Sequence, residues 1–247
     1  MEIITIDINC DVGEGVGNES SLFPFISSCS VACGGHAGDE QSMSQMVQLS
    51  KEHQVKVGAH PSYPDKRNFG RKSMKISDLK LHDSLSAQIA TFAKIVKDEK
   101  MTLNHIKPHG ALYNDIAKHK KLAKVFLKAV KPFKEQVMLY LPYASVAALE
   151  ALEQGFAVTY EAFGDRNYND DLSLVSRIEP NALIQEPKMV MDHVIGMARN
   201  KKVKSISGKE IPIKAETYCI HGDTATALQI LMYLNQELPN QKVQIEK

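Results

Sequence analysis

Only four cysteines, Cys10, Cys29, Cys33 and Cys219, occur in the 247 residues, and no two form a C-x-x-C pair. That is too few for a disulfide framework and leaves reduced thiols as the expectation. Cys29 and Cys33 could share a metal, but each lies in an apolar stretch where a small buried side chain is ordinary. Long hydrophobic runs are also missing. No uninterrupted apolar segment approaches the roughly 18 residues a membrane span requires. Met1-Glu2-Ile3 leads straight into a strand-like run without a basic region or a small-residue cleavage site, so a soluble, cytoplasmic protein is expected. An excess of either charge is absent too: 30 Lys plus Arg stand against 29 Asp plus Glu. No global field attracts nucleic acid or an anionic membrane, and neither is expected as a partner. Internal repeats, low-complexity tracts and Pro/Gly/Ser linkers are lacking as well.

What is present suits one compact domain over residues 1–247, since 43% hydrophobic and 24% charged residues can furnish a full core. Short β-rich runs at about 3–9, 28–34, 55–59, 103–107, 137–141, 156–161 and 215–220 alternate with helical segments. Those lie near 39–53, 77–99, 110–130, 144–154, 187–199 and 223–235, with Asp39, Ser77 and Asp223 as candidate N-caps. The rhythm is that of βα units around a parallel sheet. Residues 202–213 interrupt it with alternation around Ser207-Gly208, which predicts an inserted hairpin.

Strand parity narrows the architecture. Ile4, Ile6 and Ile8 share one face of the first run, and Asp7, Asn9 and Asp11 the other. Lys56, Gly58 and His60 oppose Val55, Val57 and Ala59, while His105, Lys107 and His109 fall on one parity. Thr159 and Glu161 oppose Val158 and Tyr160, and Thr217, Cys219 and His221 oppose Tyr218 and Ile220. An open sheet covered by helices on both sides would be apolar on both parities. One aliphatic and one small-or-polar face predict a barrel, here an irregular seven-stranded β/α (TIM-like) barrel with its polar parity inward.

His36, His60, His109 and His221 fall at the C-terminal ends of strand runs, where barrel enzymes gather their functional groups. Singly, each reads as a loop histidine; together they point to a site. His53, His82, His119 and His193 fall on helical segments and are expected to face solvent. Asp7, Asp11, Glu14, Asp39, Asp65, Glu161, Asp165 and Asp223 bring carboxylates to the same rim, for proton transfer or for metal binding. Lys107, inward and followed by Pro108, either stabilises an anionic substrate or forms an ion pair with Glu161 or Asp11. Gly13-Glu14-Gly15-Val16-Gly17 fails as a dinucleotide loop because no long helix follows, and no G-x-x-x-x-G-K-[ST] is present.

The motifs Asp7–Glu14, Ala32–Asp39, Gly58–Asp65, Lys107–Asn114, Glu161–Arg166 and His221–Asp223 together resemble the LamB/YcsF family, and the resemblance covers nearly the whole chain. It implies a barrel similar to those of glycoside hydrolases and deacetylases. It further implies an ATP-dependent 5-oxoprolinase activity shared with B and C subunits, in which 5-oxo-L-proline, ATP and water give L-glutamate, ADP and phosphate. ATP would be used by the complex, with no organic cofactor held by this chain. Under this reading Asp11, His36, His60, His109 and Glu161 are the catalytic candidates. Asn9, Arg71, Lys107, Asp165, Arg166 and His221 are the substrate-binding candidates. The alternatives are a metal-dependent amide hydrolase or carbohydrate deacetylase, with a divalent metal on Asp11, His36 and His60, and a non-catalytic binding subunit. The H-x-x-x-H pair of such deacetylases is not found. Gly35 and Leu172 depart from the family pattern, where Phe and Gly are usual, and could reshape the pocket wall.

Overall fold

A computed structural model describes residues 2–247. Seven parallel strands close into a barrel: β1 (Ile4–Val12), β2 (Ser28–Ala32), β3 (Lys56–His60), β4 (Leu103–Ile106), β5 (Met138–Pro142), β6 (Val158–Phe163) and β9 (Thr217–Cys219). Closure runs through β9, which pairs with β6 at Glu161↔Thr217 and with β1 at Asn9↔Cys219. The hairpin of β7 (Lys202–Lys204) and β8 (Glu210–Pro212) lies outside the barrel sheet. An additional strand missed by the sequence reading, β10 (Val243–Ile245), runs parallel to the first residues of β1, Ile4–Ile6.

Around the barrel lie α1 (Glu19–Leu22), α2 (Glu40–Glu52), α3 (Asp78–Asp98), α4 (Gly110–Lys118), α5 (Lys120–Val130), α6 (Val146–Glu153), α7 (Pro187–Asn200) and α8 (Ala227–Glu237). Asp39 caps α2 in a reciprocal capping box with Ser42, and Ser77 caps α3. Two helical expectations need correction. Residues 110–130 form two helices because His119 turns to extended geometry, without a proline or glycine to mark the break. Asp223 is no cap: α8 begins at Ala227 after Thr226, and the Asp223 carboxylate is drawn to two arginines instead. No helix among the described residues is long and apolar enough to cross a membrane.

The alternation of faces holds in three dimensions. Ile6, Ile8, Cys10 and Val12 are buried in the hydrophobic core between barrel and helices. Inside the barrel the residues are polar. Near its lower end Asp7 accepts hydrogen bonds from Ser28 (2.8 Å) and Thr217 (2.5 Å). Above it, His105 stacks on Tyr140 at 3.9 Å and meets Ser30 at 3.2 Å. Gly58 makes room for that ring, since a Cβ there would stand 2.2 Å from His105 Nε2. All four cysteines are free and buried; Cys33 Sγ accepts the backbone N–H of His60 and shares no metal set with Cys29.

Three of the four helix-borne histidines sit differently from expectation. His119 is exposed, whereas His53 and His82 are half-buried. His193 packs its ring against Tyr168 at 6.0 Å, and burial lowers its pKa to about 4.

Candidate active site

The C-terminal ends of the strands open into a cavity of about 480 Å³, bounded on one side by the irregular 164–186 segment. Asp11, His60, Lys107, His109, Arg71, Arg166 and His221 line it. Asn9, His36, Glu161 and Asp165 are not on its wall; each is buried behind it.

Lys107 sits at the centre of the buried group. Its ammonium lies 2.9 Å from Asp11 Oδ1 and 2.8 Å from Glu161 Oε1, and donates to Asn9 Oδ1 (2.9 Å) and Cys219 Sγ (3.2 Å). Both ion pairs offered by the sequence exist together. Burial opposes its charge, but Asp11 and Glu161 outweigh burial and hold its pKa well above the usual lysine range. Its ammonium, 1% exposed and with four partners, is the internal counter-ion of Asp11 and Glu161. Asn9 is likewise engaged, donating from its amide to Glu161 (3.0 Å) and Thr217 (2.7 Å).

Three histidines converge beside Asp11. His60 Nδ1 meets the Lys107 carbonyl at 2.7 Å and His109 Nε2 meets the Phe69 carbonyl at 2.9 Å. A carbonyl only accepts, so both of these nitrogens carry hydrogen. The other two nitrogens, His60 Nε2 and His109 Nδ1, face each other at 3.0 Å. His36 stacks flat on His109 at 3.6 Å and bonds Glu14 Oε1 through Nε2 (2.9 Å). Burial first, then its histidine neighbours, holds His109 well below the usual imidazole pKa; burial also lowers His36. Burial opposes ionisation of Asp11, yet His60 and Lys107 keep its carboxyl well below the carboxylate norm.

The remaining candidates are supports or mouth residues. Asp165 accepts from the Nδ1 and backbone N–H of His221 (2.8 and 3.0 Å) and from Thr224 (2.8 Å), which fixes the His221 ring over Phe163. Arg166 donates to the Ala182 and Val175 carbonyls and so ties down the 164–186 wall, with little left for a ligand. Arg71 stands over the Phe69 ring and shares the Asp223 carboxylate with Arg177, which is 3.6 Å from Asp223.

Sequence reading missed Arg177, Lys72 and Tyr113 on the cavity wall, and placed Glu14 at the rim without naming it a catalytic or binding candidate. Tyr113 lay within a recognised motif, but Arg177 carries no local signal. Gly35 and Leu172 do not line the cavity. Gly35 is closed off, because a Cβ there would meet Ser62 Oγ at 2.4 Å and Gln88 Oε1 at 2.5 Å. Leu172 takes φ +63°, the left-handed region where glycine is favoured.

Among the described residues, two side-chain groups have the make-up to hold a metal: Glu14, His36, His60 and His109; and Asp11, Cys219 and His221. The Lys107 ammonium already lies 2.9 Å from Asp11 and 3.2 Å from Cys219, so the second group has its cation.

The LamB/YcsF family model matches residues 6–247. The chain is 38% identical over 246 residues to the 5-oxoprolinase A subunit of Staphylococcus haemolyticus, covering 98% of each, and 38% identical over 240 residues to that of Haemophilus influenzae, covering 97% and 98%. Its fold matches the crystal structure of the lactam utilization protein from Thermus thermophilus with a TM-score of 0.90 and 32% identity, covering 98% of this chain and 99% of that one. With almost its full length matched by model, sequence and fold, this chain belongs to the LamB/YcsF family.

Proposed function

We propose that the chain opens the lactam ring of 5-oxo-L-proline to L-glutamate, as the A subunit of an ATP-dependent 5-oxoprolinase working with B and C subunits in the cytoplasm. The observation that carries this reading is the mouth of the barrel, where the His60–His109 pair and the anchored Asp11 face a cavity rimmed by Arg71 and Arg177, in a chain matching proteins of that name end to end.

A lactam is a poor electrophile, and ATP-dependent phosphorylation of its oxygen makes a leaving group. That step falls to the partner subunits, since no phosphate-cradling loop occurs in this sequence. Water then adds to the activated carbon, the C–N bond breaks as the ring nitrogen takes a proton, and a second water cleaves the resulting acyl phosphate to glutamate and phosphate; the barrel has to position water and take its proton. His60 and Asp11 act as the base on the attacking water, and His109, in contact with His60, passes the proton toward the ring nitrogen. Arg71 and Arg177 hold the carboxylate or phosphoryl group. Lys107 and Glu161 keep Asp11 ionised and in place, and His36 orients Glu14.

Oxoproline-dependent phosphate release tests the reading. The chain alone should give none, and addition of cognate B and C subunits should restore glutamate formation. Robust ATP-dependent turnover by the purified chain by itself would overturn the division of labour.

A further inference from the structure

The same histidine cluster gathers acceptor atoms at its centre. The carbonyls of Lys107 and Phe69 fix the hydrogens of His60 and His109 on their outer nitrogens. Their inner nitrogens therefore present lone pairs to each other across 3.0 Å. Asp11 Oδ2 lies 3.3 Å from His60 Nε2, and Glu14 Oε1 lies 3.4 Å from His109 Nδ1. With both rings neutral, four acceptor atoms converge here and only His36, on Glu14, brings a hydrogen to any of them, an arrangement that favours a cation between them.

We propose that His60 Nε2, His109 Nδ1 and Glu14 Oε1 bind a divalent transition-metal cation, zinc by ligand type, with Asp11 at its edge and the cavity side left open. The spacing fits. Two ligands at about 2.0–2.1 Å around a tetrahedral ion lie about 3.3–3.4 Å apart, against the observed 3.0 and 3.4 Å. The ring centroids of His60 and His109 are 4.9 Å apart, which corresponds to roughly 100° at a cation bound to both rings. Backbone carbonyls on the outer nitrogens are what orients ligating histidines in metal sites. Charge points the same way: Asp11 and Glu161 share the single ammonium of Lys107, while the Glu14 carboxyl, 4% exposed, meets only the His36 and His109 rings. His36 does not ligate beside His109, because parallel rings 3.6 Å apart cannot both aim a lone pair at one ion. It serves instead as the hydrogen-bond partner of Glu14.

This site differs from one on Asp11, His36 and His60, and it stands whether or not the substrate is oxoproline. When bound, the ion would occupy the inner nitrogens of His60 and His109 and supply a Lewis acid at the cavity wall that lowers the pKa of a bound water, leaving Asp11 in place of His60 to take the water's proton.

The test uses the intact chain, stripped with chelator, and Zn²⁺ alone in competition with a chromophoric chelator. One equivalent is expected to bind, with His60→Ala, His109→Ala and Glu14→Gln each weakening it by more than about 100-fold and His36→Ala by about 10–100-fold. Cys219→Ser and His82→Ala should leave it unchanged. Co²⁺ loading of the unaltered chain gives a readout that needs no variant: four-coordinate visible bands without a thiolate charge-transfer band are expected. A thiolate band would place the ion on Cys219 and overturn the assignment. Absence of stoichiometric binding would overturn it as well, and would leave a single shared proton as the occupant between His60 and His109.

Discussion

Lys107 Nζ and Glu161 Oε1 lie 2.8 Å apart inside the barrel, joining β6 to the loop that follows β4 where neither side chain meets solvent. Removing one partner leaves the other charge buried and unpaired. Lys107→Met should cost about 3–5 kcal/mol of stability, read from urea unfolding. Pairing it with Glu161→Gln should recover part of that loss. A Lys107→Met chain that unfolds like the parent would show that the ammonium is not the counter-ion described here.

Arg71 and Arg177 share Asp223 at the cavity mouth. Arg71→Ala and Arg177→Ala should raise KM for oxoproline in the reconstituted complex while lowering kcat less, the pattern of lost ground-state binding. A large fall in kcat at unchanged KM would move these arginines from binding into the chemical step.

His193 gives acid sensitivity away from the site. Its folded pKa is lowered from 6.5 to about 4 by burial. Above pH 6.5 it is neutral in both states and costs nothing. As pH falls from about 6.5 to about 4 the unfolded chain takes up a proton that the folded chain refuses, removing roughly 3 kcal/mol. His193→Phe should flatten stability against pH across that window. An unchanged slope would place the acid sensitivity elsewhere.

The same contrast between local and distant information decides what the sequence discloses. Strand parity is a property of neighbours two residues apart, so Asp7, Asn9 and Asp11, or His60 beside Ala59, announce an inward polar face without any knowledge of the fold. The histidines at strand ends follow once a parallel barrel is inferred, because all such ends meet on one side. Partner choice is different. That Lys107 would contact Asp11 and Glu161 simultaneously depends on strands 54 or more residues apart meeting across the barrel. Arg177 lies in an irregular segment with no periodicity to read, and β10 is three residues long, too short to carry an alternation.

Gly35 is a position whose small size only the packing explains. Gln88 accepts from the backbone N–H of Ser62 and donates to its carbonyl, filling the space a side chain at 35 would take. Gly35→Ala should destabilise by about 1–3 kcal/mol through overpacking, and Gly35→Ala with Gln88→Ala should be milder than either effect summed. Strict additivity in thermal unfolding would contradict this shared-space account.

The central claim, that ring opening takes place at the His60–His109 mouth of this barrel, is tested most directly by glutamate formation from 5-oxo-L-proline in complexes reconstituted with parent or His109→Ala chain, with assembly and melting temperature followed on the same samples. The account predicts a fall in glutamate formation of at least about 100-fold with the complex assembled and the chain folded. Glutamate formation within a few-fold of the parent would contradict it.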